Sequence, residues 1–396
     1  MPSVKIEIDS SILRWIIEKI SNDNVDNNTI SLLNKWINGV TKPTFNQIED
    51  VSKKTHIPFG YFFLKKPPED ELSLIHCRTI NSTKMKNPSR NLIDTINIMS
   101  NAQEWMAEYN EDEGLEPLPF VGRFKNTDDP SIIAEDIRNE LNIEVDWFKN
   151  VKNAEESFKY LKNRISDLGI LVMQNGIVGN NTKRPLNIEE FRAFTLINEY
   201  APLIFINSKD EEHAKIFSLV HELSHIWLGE DDLFNDNDFG EFEVSKTEQI
   251  CNAVAADILT PSNIFVEKWN QSNSTEEINI SEIAKYFKCS KSVILRRALT
   301  HNFINKRNYD NLTNNLKKER KDLDLLKKGN FKKNGGGNLY NSNASRWDNN
   351  FIFALDNSTK SGRTSYLEAY RLTKMKGNTF HKFVDILQKR SGDNFE

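Results

Sequence analysis

Two histidines four residues apart, with a glutamate beside the first, are the side chains of this sequence best suited to do chemistry: His221-Glu222-Leu223-Ser224-His225. On an α-helix, positions i and i+4 stand one above the other, about 40° apart around the axis, so both imidazoles can aim at one point beside the helix. That is a clamp for a metal ion. Glu222 lies about 60° round from His225, too far to be a natural third ligand but able to reach a water at the metal, which makes it the candidate general base. The bare pattern arises by accident in roughly one chain in a hundred of this length, so its surroundings have to carry the assignment. Either histidine alone reads as a hydrogen-bonded core residue; the pair with Glu222 between them reads as metal binding.

A helix must hold these groups, and the local sequence supplies one. Ser208 with Glu211 reads as a capping-box start, Gly229 reads as a stop, and Ile216, Phe217, Val220, Leu223 and Trp227 form an apolar stripe between them. Residues 169–173, 191–197 and 202–207 are short apolar runs with a strand signature. They predict a small sheet laid against the helix, whose edge could take an extended peptide. A catalytic zinc usually has three protein ligands and one open position, so a third ligand must come from elsewhere in the chain. Residues 230–243 are acidic and read as a solvated loop, followed by a helix predicted over 245–259. Glu248 opens that helix, with Asn252 one turn on and on the same face; Glu248 could equally complete a capping box with Ser245 or lie on the surface. Cys251 points about 60° away from Glu248, and Asp257 lies half a turn round. His213, Tyr200 and Arg192 are the nearby groups that could donate to an oxyanion.

The run from His221 to Gly229, followed by Glu248-Gln249-Ile250-Cys251-Asn252-Ala253 through Thr260-Pro261, resembles the ImmA/IrrE family of metallopeptidases, and residues 191–194 and 201–207 fit the same pattern. The resemblance covers residues 125–262. It implies a zincin-like core in an α+β, mostly helical chain, one Zn2+ per chain, and Glu248 as the third ligand beside His221 and His225. Asn252 then becomes a candidate for orienting a histidine. Zinc makes water acidic near pH 7, and Glu222 would take the proton and hand it to the leaving amine. The family's typical substrate is a helix-turn-helix repressor whose cleavage switches on stress or mobile-element genes. A repressor or antitoxin encoded beside this protein is the partner so implied, in a prophage or toxin–antitoxin setting.

At 396 residues, with 38% hydrophobic and 28% charged residues, the chain is expected to fold as several units. No apolar run approaches the roughly 18 residues of a membrane span, and no signal-peptide core opens the sequence, so a cytoplasmic location without membrane contact is expected. Three scattered cysteines argue against a disulfide framework. Residues 1–66 resemble, around Trp36-Ile37-Asn38-Gly39 and Lys42-Pro43-Thr44, the second half of a phage-repressor helix-turn-helix, but the span from Trp15 to Trp36 is too short for its usual two helices. Nine Lys and Arg against seven Asp and Glu make that unit a weak phosphate binder, so a degenerate module that packs or docks is expected. Residues 67–124 read as a linker and a packing helix, 125–262 as the peptidase, 263–330 as a basic helix-turn-helix-like unit, and 338–396 as a small partner-binding or packing unit. From 278 to 333 there are 15 Lys and Arg against 5 Asp and Glu, and a helix bearing Lys291, Arg296 and Arg297 would suit a major groove. That surplus carries the alternative reading, a non-proteolytic DNA-binding regulator or antitoxin component that keeps the peptidase fold.

Overall fold

The computed structural model describes residues 4–20, 25–68, 88–126, 128–230, 232–234, 245–271, 274–329, 345–375 and 377–392. The chain opens with α1 (Ser10–Lys19), α2 (Asn27–Ile37) and α3 (Phe45–Thr55), followed by a 3-10 turn over Phe59–Phe63. Asp9, Asp26 and Thr44 cap the three N-termini, Thr44 through a capping box with Gln47. These elements enclose a core of their own, including Ile12, Leu13, Ile16, Leu33, Trp36, Ile48, Val51 and Phe62. Helix α2 begins at Asn27 because Asp26 accepts from the Thr29 N–H and hydroxyl.

Next come α4 (Arg90–Asp112), α5 (Pro130–Glu140), α6 (Ala154–Asp167), β1 (Leu171–Asn175), β2 (Ala193–Leu196), β3 (Leu203–Asn207), α7 (Glu212–Leu228), β4 (Asp232–Phe234) and α8 (Lys246–Leu259). The described strands form one sheet in the order β1-β3-β2-β4, with β1 parallel to β3 and the other pairs antiparallel. The mostly helical α+β class is therefore observed. The acidic stretch expected to be loop contributes β4, which pairs with β2 through Ala193 opposite Phe234. Strand pairing is a non-local event that the composition of the stretch does not announce.

Side chains alternate across the sheet, and both faces are covered. Val172, Ala193, Ile204 and Ile206 join a core with α5, α6, α7 and α8. Leu171, Met173, Phe194, Leu196, Leu203 and Phe205 face a second core, built from α4 and from α13 (Asn349–Lys360), α14 (Tyr366–Thr373) and α15 (Gly377–Gly392). The sheet is thus the middle of three layers. Asp348 ties the last layer to the edge strand: its Oδ2 accepts from Val172 N at 3.1 Å, while Oδ1 caps α13 through Asn350 N. The C-terminal unit packs on the sheet and α4.

Between these layers in sequence lie α9 (Ser262–Gln271), α10 (Glu276–Phe287), α11 (Lys291–Thr300) and α12 (Lys306–Gly329). The expected helix, tight turn and helix are present in α10 and α11, with Lys288 left-handed at φ 57° and Ser290 capping α11. Ile280, Ile283, Phe287 and Ile294 turn inward to the first core, so the pair buttresses the layer of α5 to α8. Among the described residues no helix is long and apolar enough to cross a membrane. Cys77 with the rest of residues 69–87 (part of the expected linker), most of the acidic stretch and Gly335 to Gly337 lie outside the described residues.

Candidate metal centre

Helix α7 is buried from Ser218 to Leu228, which is why its sequence there is apolar apart from Ser218, His221, Glu222, Ser224 and His225. It starts at Glu212 with no side-chain cap, so the expected capping box at Ser208 is absent; Ser208 instead continues from β3, its N–H donating to Asn175 O. The far end is held more firmly. Gly229 closes it at φ 68°, and residues 118–124 run beside it, with Gly122 N donating to Ile226 O and Phe124 N to Trp227 O. Phe120 stacks on Trp227 at 4.6 Å between centroids, and Trp227 Nε1 donates to Asp136 Oδ2 at 2.7 Å. The last turn, which carries His225, is therefore fixed from outside.

His221 and His225 are 0% and 2% exposed, and their Nε2 atoms lie 3.2 Å apart. Glu248 reaches them from the first turn of α8. Its Oε2 is 3.2 Å from His221 Nε2 and its Oε1 is 3.2 Å from His225 Nε2. Ser245 caps α8 by accepting from Glu248 N, so the backbone of Glu248 is used by the cap while the carboxylate is turned to the histidines. Burial pushes the Glu248 carboxyl up, but hydrogen bonds and charge from His221 and His225 outweigh it and hold the group far below the usual carboxylate range.

These donors suit a metal ion. Bonds of about 2.0 Å in a tetrahedral array put neighbouring ligand atoms about 3.3 Å apart, close to the spacing found here. Among the described residues this is the cluster of His, Cys, Asp and Glu side chains with converging ligand atoms. Two nitrogens and a carboxylate are also a donor set that zinc accepts. Glu222 is fully buried one position along; its Oε2 accepts from Thr195 Oγ1 of β2 at 2.5 Å. Thr195 was invisible to sequence reasoning, since a threonine in a strand is ordinary; its role depends on β2 lying against α7.

The remaining candidates stand elsewhere. His213 is exposed on the first turn of α7, about 12 Å along the axis from His221. Arg192 is buried with Nη1 2.6 Å from Asp210 Oδ2, an ion pair that fastens the start of β2 to the turn before α7. Tyr200 lies against the end of α4: its carbonyl accepts from Asn110, and its phenol is pushed up by lost hydration and by Glu111, Glu199 and Glu116. None of the three joins the cluster. Asn252 is half-buried one turn beyond Glu248, its Oδ1 without a hydrogen-bond partner among the described residues. Cys251 is buried in the first core.

The basic helix also departs from expectation. Arg297 is 8% exposed and donates to Thr260 O, Ser262 Oγ and Asp257 Oδ1, so it cannot serve a DNA groove. Lys291 lies 3.7 Å from Glu319, and Arg296 sits over the Tyr309 ring at 6.0 Å; both partners are on α12.

Residues 165–299 match the family model Peptidase_M78, the IrrE N-terminal-like domain. Residues 347–385 match a domain of unknown function, DUF8813. No curated protein and no solved structure matches the chain. The first match runs from the end of α6 through α11, so the buttressing pair belongs to the same domain as the histidines. The second covers much of the layer behind the sheet.

Proposed function

We propose that this protein, whose residues 165–299 match the IrrE N-terminal-like domain model Peptidase_M78, works as a zinc endopeptidase with His221, His225 and Glu248 as ligands. The observation that carries the reading is the convergence of buried donor groups: the two histidine Nε2 atoms lie 3.2 Å apart and each is 3.2 Å from a different oxygen of the Glu248 carboxylate, with Glu222 buried next to His221 in the chain. A zinc ion held by His221, His225 and Glu248 would supply Lewis acidity toward the scissile carbonyl and toward water near neutral pH. Glu222 takes the proton of the attacking water and delivers it to the leaving amine as the peptide bond breaks. Its burial keeps bulk water from competing for that proton.

The substrate we propose is a helix-turn-helix repressor or antitoxin encoded beside this protein, cut to release stress or mobile-element genes. Support for this comes from the family of the catalytic domain. Support against the DNA-binding alternative comes from Arg297, whose guanidinium is committed inside the fold. The test is co-expression of the neighbouring repressor with the wild type, Glu222→Gln and His221→Ala, following repressor length by mass spectrometry and metal content of the purified proteins. The wild type should cut and carry one zinc, Glu222→Gln should carry zinc without cutting, and His221→Ala should lose both. Undiminished cutting by Glu222→Gln would refute the mechanism.

A further inference from the structure

We infer that Thr195 is the positioning residue of the general base, holding Oε2 of Glu222 so that Oε1 is the oxygen that handles the proton; this rests on the role proposed above for Glu222. On the face of the sheet that meets α7, Thr195 lies two positions from Ala193 on its own strand, with Ile204 as its partner across the β2–β3 ladder and Asp232 across the β2–β4 ladder; Ala193, Ile204 and the neighbouring Ile206 belong to the first core. A valine would pack in that place with the same shape. Only the hydroxyl distinguishes threonine, and at 1% exposure it has no water to turn to. Its one proton has two acceptors within reach, Glu222 Oε2 at 2.5 Å and Glu222 O at 3.2 Å. The shorter contact, to an ionisable group, is the stronger one.

The bond has a chemical consequence. A glutamate side chain ends in a torsion with a broad minimum, so the carboxylate of an unanchored Glu222 would swing about its last bond. A donor on one oxygen stops the swing and differentiates the two oxygens. Threonine also presents its hydroxyl from a strand that is itself pinned on both sides, by β3 and by β4, so the anchor does not move with the helix that carries Glu222.

The test compares zinc-loaded full-length wild type with Thr195→Val, Thr195→Ser and Thr195→Ala. Thr195→Val should lower kcat on the co-expressed repressor by about 10- to 100-fold while KM stays within about twofold. Thr195→Ser should recover most of the loss, and zinc affinity measured by chelator competition should match the wild type in all three. A second readout does not require turnover: a denaturation cycle pairing Thr195→Val with Glu222→Ala. Coupling should change the unfolding equilibrium constant by roughly fivefold or more, because in the Glu222→Ala chain threonine keeps only the longer contact to the carbonyl of residue 222, so valine removes less there than from a chain that has the carboxylate. Additive effects in that cycle, or a wild-type kcat for Thr195→Val, would overturn the inference; Thr195→Ala replaces the valine in both measurements where valine does not fold. Cutting by Glu222→Gln would instead sink the reading of Glu222 as base, with the cycle still reporting on the bond.

Discussion

Replacing Arg297 with methionine separates a structural from a DNA-contacting role for α11, and its cost can be worked from named bonds. Methionine keeps the apolar stem and removes the guanidinium. In the native protein Nε and Nη2 donate to Thr260 O at 3.1 and 2.7 Å, and Nη2 also reaches Ser262 Oγ and Asp257 Oδ1, each at 2.9 Å. Thr260 is the C-cap of α8, so its carbonyl is one that the helix itself cannot satisfy. Leaving that buried carbonyl without its donor costs about 1–3 kcal/mol, and losing a charged hydrogen bond at Asp257 about 1.5–3 kcal/mol. Asp257 keeps Arg138 at 3.2 Å, so it is not stranded as an isolated buried charge, which holds the total to about 3–5 kcal/mol. Both partners are well shielded, at 9% and 16% side-chain exposure, so screening by solvent removes little of this. The assay is urea denaturation at 25 °C followed by near-UV ellipticity, beside a duplex-DNA titration at low salt. Lys291→Ala and Arg296→Ala, on the exposed side, should each stay within about 0.5 kcal/mol of wild type. A stability change below about 1 kcal/mol for Arg297→Met, coupled to a tenfold loss of DNA affinity, would refute the structural assignment.

Two further predictions concern the frame around the centre. Gly229→Ala should destabilise more than Gly122→Ala: both sites have positive φ, costing an L-residue about 1–2 kcal/mol, but a Cβ at Gly229 would lie 3.0 Å from Gly122 Cα, whereas one at Gly122 meets nothing nearer than 3.7 Å. Equal midpoints in thermal melts of the two variants would argue that the 118–124 segment is free to move away from α7. Truncation after residue 344 should abolish the folded catalytic domain. Trp347, Phe351, Leu355, Phe380 and Phe383 are buried in the core that the C-terminal helices share with the back of the sheet and α4, and at about 1.5–3 kcal/mol each they match the whole stability of a domain. A truncated protein that melts cooperatively at the wild-type midpoint would show the unit to be an appendage.

What could be read in advance follows from how local each feature is. The spacing of His221 and His225 lies within two turns of one helix, so the clamp was legible from the residues themselves, and the apolar runs that became β1, β2 and β3 were legible for the same reason. Glu248 was ambiguous because its two competing uses, cap partner and ligand, look identical in sequence; the structure separates them by giving the cap to its N–H and leaving the carboxylate to the histidines. Arg297 misled because basic residues on a short helix look solvated, and only the folding of α11 onto the end of α8 hides one of them. The C-terminal layer was opaque for the opposite reason: Trp105 meets Phe351 across 246 positions of chain, and no local pattern encodes such a meeting. Thr195 shows the limit most sharply. Its type and strand position are unremarked in any β-rich sequence, yet once β2 lies against α7 it is the residue that decides which oxygen of Glu222 faces the reaction. The clamp is written in the spacing of one helix, whereas the orientation of the base is written in the register between a strand and that helix, and register is a property of the folded chain.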